Sequence, residues 1–200
     1  MLERYEIKQQ ISHKAGRSTY LAEDSETNKQ VVIKILGFND LFDWDDLKLF
    51  EREAKTLKNL NHPNIPQFLD YFEIDEENRQ GYALVQTYIN APSLAEVIEQ
   101  GIHFSEVEII ELIKKLLNIL NYIHGLNPPI IHRDIKPSNI LLTNRSGNSI
   151  GDVYLVDFGS VQTVAKKKQE QSQLLGAMAI FPSNNLWDKL PLLRIFILWV

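Results

Sequence analysis

The sequence predicts an α+β protein in which an antiparallel sheet with one helix is followed by a second, mainly helical and incomplete lobe. Three observations carry this. Short runs rich in β-branched and aromatic residues recur up to residue 87. From Pro92 onward the apolar residues change to helical spacing. A turn-rich stretch at 143–151 then separates two further short apolar runs.

The elements follow in order. Tyr20-Leu21-Ala22 and Val31-Val32-Ile33-Lys34-Ile35-Leu36 flank a polar turn at 23–29, as an antiparallel hairpin requires. Leu47, Phe50, Ala54, Leu57 and Leu60 recur at helical spacing with charges between them. They predict one amphipathic helix that stops before Pro63. Strands around 68–72 and 82–87 are joined by an acidic turn, and a five-stranded sheet with one helix is the economical arrangement. Ser93 is placed to cap a short helix through Gln100. Ser105 with Glu108 forms a capping-box signature that opens a longer helix through His124. Leu112, Leu116, Ile119, Leu120 and Ile123 give that helix a wide apolar face, which marks it as a core helix. Residues 140–142 and 153–156 read as two short strands.

Composition bounds the function. A chain of 200 residues suffices for one medium domain or two small lobes. Its net charge of -5 argues against a general nucleic-acid binder, because phosphate backbones are bound by basic surfaces. With no cysteine, disulfides and thiolate metal sites are excluded. The N-terminus has no apolar h-region, and the apolar run at 190–200 is broken by Pro191 and Arg194 and is too short to span a bilayer. These features predict a soluble, cytoplasmic protein without membrane or nucleic-acid contacts, and leave its oligomeric state open.

The chemistry lies in two stretches: His132-Arg133-Asp134-Ile135-Lys136-Pro137-Ser138-Asn139 and Asp157-Phe158-Gly159. Together they supply a base, a cation and two oxygen ligands for a metal, the equipment for moving a phosphoryl group. A lone loop Asp is more often a turn former. Two ordered motifs at this separation reverse those odds.

On these stretches the chain resembles the eukaryotic-type Ser/Thr protein kinases that are also found in bacteria. The resemblance implies a two-lobed protein kinase fold, ATP and Mg²⁺ as cofactors, and a protein substrate carrying Ser or Thr. It puts Asp134 in the catalytic-base role and Lys136 near the transferring phosphate, where a Lys resembles Ser/Thr-directed kinases. Asn139 and Asp157 would hold the Mg²⁺ ions, and His132 and Phe158 would position the loops. The run 31–34 matches the strand that carries the phosphate-anchoring Lys34. Counting back from His62-Pro63-Asn64-Ile65 selects Glu53, not Glu51, as its partner. Residues 84–89 resemble the strand entering the hinge, with Gln86 as gatekeeper and backbone groups of Thr87 and Ile89 facing adenine, while Val32 and Leu141 enclose the base.

The chain departs from the family in two places. The pattern G-x-G-x-x-G falls on residues 12–17, where all three expected glycines are replaced and Gly16 is displaced by one position. His13, Lys14 and Arg17 could supply positive charge there instead; the other reading is a solvated turn. After Gln162 the family's activation segment and later helices do not follow. Read from the third base of each codon, residues 177–182 can give Tyr-Gly-Tyr-Ile-Pro, and 191–200 Pro-Ala-Ser-Asp-Leu-Tyr-Ser-Leu-Gly. Both resemble later parts of such kinases, and Lys166-Lys167-Lys168 is the natural slip site.

The resulting division is a kinase N-lobe at 1–90, a partial C-lobe at 91–170 and an aberrant tail at 171–200. The expectation is a C-terminally truncated Ser/Thr kinase, shortened by frameshift or sequence error. In that form the apolar face of the 105–124 helix lacks partners and activity is impaired. The alternative is a non-catalytic, pseudokinase-like binding module.

Overall fold

The computed structural model describes residues 2–14, 16–38, 42–76, 79–147 and 149–163. The slip-site lysines and the tail at 171–200 lie outside these residues. The chain divides into two compact units, one formed by residues 1–89 with 158–160, the other by 90–157 and the residues from 161 onward.

In the first unit a short 3-10 turn, Leu2–Arg4, leads into β1 (Tyr5–Lys14), β2 (Arg17–Asp24), β3 (Lys29–Gly37), β4 (Phe68–Glu76) and β5 (Arg79–Thr87). The sheet order is β1-β2-β3-β5-β4, with every neighbour antiparallel. This is the expected five-stranded sheet. Its β1 is the strand that sequence patterning leaves unlocated, because register shifts at Ile7/Gln9 and Gln10/Ser12 break the two-residue period. Along β3 the pleat sends Val31, Ile33 and Ile35 into a core with Tyr5, Ala22, Phe72, Ile74, Ala83 and Val85. Val32 and Lys34 therefore share the opposite face, where both are half-buried. The turn between β2 and β3 is closed by Asp24, which accepts from Arg4 Nε and Nη2 at 2.7 Å each, from Thr27 Oγ1 and from the Glu26 amide.

Helix α1 (Trp44–Lys58) starts at Asp43, whose carboxylate accepts from the Asp45 amide, and ends at Asn59. It buries Leu47, Phe50, Ala54 and Leu57, at about 1.5–3 kcal/mol for each large side chain. It also buries Glu53, which an amphipathic pattern alone places with the solvated charges. The 3-10 turn Phe158–Ser160 packs on α1, with Phe158 fully buried.

The second unit holds α2 (Leu94–Glu99) and α3 (Glu106–His124). Both open with complete capping boxes: Ser93 with Glu96, and Ser105 with Glu108. Four short strands follow: β6 (Ile130–Ile131), β7 (Ile140–Thr143), β8 (Asp152–Leu155) and β9 (Gln162–Thr163), paired antiparallel as β6 with β9 and β7 with β8. The α3 face of Leu112, Leu116, Ile119, Leu120 and Ile123 is buried. The expectation that this face lacks partners is therefore not met, since β6 and β8 contact the helix. Polar straps reinforce that packing: Lys115 Nζ donates to the Gly151 carbonyl at 2.6 Å and Glu111 accepts from the Ile150 amide at 3.1 Å. Among the described residues, no helix is long and apolar enough to cross a membrane.

Candidate active site

The loop after β6 gathers three of the expected residues. Asp134 Oδ2 accepts from Lys136 Nζ at 2.7 Å and from Asn139 Nδ2 at 3.0 Å, and the same amide nitrogen donates to the Asp134 carbonyl at 2.8 Å. Local backbone chemistry fixes this arrangement. Pro137 opens a 3-10 turn through Asn139, which folds Asn139 back beneath the aspartate. Asn139 is buried, whereas Asp134 and Lys136 are half-buried. The second oxygen of Asp134 carries no bond among the described residues, and so remains open to a hydroxyl.

Two bonds hold this loop to the strand that delivers Asp157. His132, fully buried, bonds the Val156 carbonyl through Nε2 at 3.2 Å and accepts from the Asp134 amide through Nδ1 at 3.3 Å. A neutral imidazole protonated on Nε2 satisfies both. In addition the Val156 amide donates to the Asn139 carbonyl at 3.0 Å. His132 thus ties the Asp134 backbone to the Val156 carbonyl. Arg133 and Asp157 have φ of 67° and 65°, a backbone region unusual for side-chain-bearing residues. Such strain, kept beside both motifs, persists where the surroundings enforce it.

In the first unit Lys34 Nζ donates to Glu53 Oε1, with the carboxylate almost fully buried. The partner is Glu53 and not the exposed Glu51. Val32 lies two positions before Lys34 on the same face of β3, paired across the sheet with Leu21 and Gln86. Gln86 is buried, and Thr87 and Ile89 follow it half-buried. The Thr87 amide donates to the Gln67 carbonyl at 3.0 Å and its Oγ1 accepts from the Gln67 amide at 2.9 Å. Of the backbone groups expected at Thr87, the N–H is therefore already engaged. Leu141 belongs to the second unit, where it bridges to Ser93 and is half-buried.

The hairpin between β1 and β2 departs from the sequence reading. Arg17 Nη2 donates to the Asp46 carboxylate at 2.8 Å and to the Asp46 carbonyl at 3.0 Å, fastening the hairpin to the first turn of α1. His13 Nδ1 bonds Ser18 Oγ at 2.8 Å. Arg17 thus has an internal carboxylate as partner, which removes it from the cations supposed to replace the glycines.

The oxygen donors suit a divalent cation. Among the described residues no three His, Cys, Asp or Glu side chains converge into a metal cage. Asn139 offers its amide oxygen, since its nitrogen is used by Asp134. That oxygen and the Asp157 carboxylate are both hard donors, the type that Mg²⁺ prefers.

Residues 5–179 match the protein kinase domain family. The chain belongs to the protein kinase family. The match ends inside the stretch expected to be foreign to it. The chain is 32% identical over 155 residues to myosin light chain kinase A of Dictyostelium discoideum, covering 78% of this chain and 50% of that protein. It is 38% identical over 116 residues to serine/threonine-protein kinase B of Synechocystis sp., covering 58% and 18% respectively. With serine/threonine-protein kinase PrkC of Bacillus subtilis it shares 32% over 156 residues, covering 78% and 22%. This kinase chain therefore spans half or less of the length of these relatives. The bonds of His132 and the 3-10 turn opened by Pro137 account for where Asp134, Lys136 and Asn139 lie. The Arg17–Asp46 pair had no sequence signal, since its members lie 29 residues apart.

Proposed function

We propose that this chain carries the phosphotransferase domain of a Ser/Thr protein kinase, which moves the γ-phosphoryl group of ATP to a Ser or Thr hydroxyl of a protein. The observation that supports it best is the Asp134, Lys136 and Asn139 cluster. A carboxylate held by an ammonium and an amide on one oxygen keeps the other for the incoming hydroxyl. Lys136, anchored by Asp134, brings positive charge toward the transferring phosphate without competing for the hydroxyl.

Lys34 would anchor the ATP phosphates, with Glu53 fixing its ammonium. Val32, Leu141 and the backbone at Thr87 and Ile89 would hold the adenine. Asn139 and Asp157 would hold Mg²⁺, which when bound neutralises phosphate charge. The serine/threonine-protein kinases among its relatives, and Lys at position 136, favour serine or threonine as acceptor over tyrosine. A cytoplasmic location accords with the composition.

The test is transfer of radiolabelled phosphate from ATP to a serine-containing peptide by the 200-residue chain and by Asp134→Asn. Transfer by the parent chain and its loss in the variant support the reading. ATP binding without transfer in either chain overturns it in favour of a pseudokinase-like binding module, for which the replaced glycines at 12–17 speak.

A further inference from the structure

Six aromatic rings touch in sequence across the first unit. Trp44 meets Phe42 at 5.5 Å between centroids, Phe42 meets Phe38 at 4.5 Å, Phe38 meets Tyr82 at 5.7 Å, Tyr82 meets Tyr71 at 5.7 Å, and Tyr71 meets Phe50 at 6.1 Å. The inner end is core, with Phe50 at 1% exposure, but the outer end is open, with Phe38 at 38% and Trp44 at 69%. The three outer rings are edge-to-face, with interplanar angles of 69° and 75°. That arrangement holds the rings in place at the surface. Trp44 is the first residue of α1, a position that asks for no aromatic side chain. A fixed, water-exposed indole at the end of a ring series that begins in the core marks a contact surface.

The sequence next to it is mainly acidic. Residues 40–50 hold Asp40, Asp43, Asp45 and Asp46 against Lys48 alone. Asp45 is paired with Lys48 and Asp46 with Arg17, whereas the exposed Asp43 carboxylate accepts only the Asp45 amide among the described residues. Trp presents the best side-chain face for a cation, and a planar guanidinium both stacks on it and bonds a carboxylate.

We propose that the surface formed by Trp44, Phe42, Phe38 and Asp43 docks an arginine-bearing segment of a partner protein. One guanidinium lies on the Trp44 face beside Asp43, and an aliphatic neighbour of that arginine lies against Phe38. The proposal concerns binding alone and stands whether or not the chain transfers phosphate.

The probe is a fluorescein-labelled octapeptide alternating arginine and leucine, titrated against the 200-residue chain and followed by anisotropy. Trp44→Ala is expected to weaken binding about fivefold, and Trp44→Phe about twofold. Asp43→Asn keeps a capping side chain while removing its charge, and is expected to weaken binding about twofold. Val107→Ala, at an equally exposed apolar position on α3, is expected to change nothing. Circular dichroism of each variant confirms that the fold is kept. Equal affinity for the parent chain and Trp44→Ala overturns the proposal. So does equal binding of a glutamate-leucine octapeptide, an equal loss in Val107→Ala, or no measurable binding at millimolar peptide.

Discussion

Lys34 on β3 and Glu53 on α1 form an ion pair whose side chains are only 15% and 3% exposed. Water screens such a pair poorly, so removing one partner leaves a charge that the interior cannot solvate. Glu53→Ala is expected to lower unfolding free energy by about 3 kcal/mol, read from urea denaturation. Replacing both with Lys34→Met and Glu53→Leu is expected to recover most of that loss, while abolishing ATP binding if Lys34 anchors the phosphates.

Asp134→Asn keeps the shape of its loop and removes the carboxylate proposed as the base. Phosphotransfer is expected to fall about 10²- to 10⁴-fold, with the melting temperature little changed. Loss of activity together with loss of the melting transition would assign Asp134 a structural role instead.

The Asp24 carboxyl resists protonation in the folded chain. The hydrogen bonds from Arg4, joined by those of Thr27 and the Glu26 amide, hold this carboxyl well below the usual carboxylate range despite its burial. Its folded pKa thus lies below the unfolded value of about 3.9. The associated stability is present above about pH 4 and is lost as pH falls toward the folded pKa. Melting temperature is expected to be flat from pH 8 to about pH 5 and to decline below. Asp24→Asn should melt lower at neutral pH and show a shallower decline in acid.

Two glycines with positive φ differ in what a Cβ would meet. At Gly151, with φ of 73°, a Cβ would sit 1.9 Å from the Thr143 carbonyl oxygen, so Gly151→Ala is expected to cost about 3 kcal/mol or more. At Gly101, with φ of 78°, a Cβ meets nothing within 4 Å, and Gly101→Ala is expected to cost about 1 kcal/mol. Denaturant melts of the pair separate backbone strain from collision.

Ser105→Ala removes one half of a capping box, at about 1 kcal/mol. Glu108→Ala is expected to cost more, because Glu108 also accepts from Arg145 Nη2 at 3.0 Å while its other oxygen takes the Ser105 amide and hydroxyl. The ordering, measured by thermal melts, tests whether Arg145 needs that carboxylate.

What was legible in the sequence was what is local. Ser105 and Glu108 are three residues apart, so spacing announces them, and Asp134, Lys136 and Asn139 fall within one short motif that the family resemblance picks out. β1 escaped because two bulges disrupt its alternation. β6 and β9 escaped because two-residue strands have no period to detect. The partner of Arg17 was illegible for a third reason: it is set by how the hairpin meets α1, and nothing in residues 12–17 encodes that meeting.

Asn139 carries one further implication. Its amide nitrogen reaches both the carbonyl and the carboxylate of Asp134. Exchanging that single NH₂ for oxygen, as Asn139→Asp does, would set two carboxylates against each other where a donor had stood. The loop would lose the donor that ties its two ends together and gain a repulsion in its place, through a change too small to alter the volume of the site.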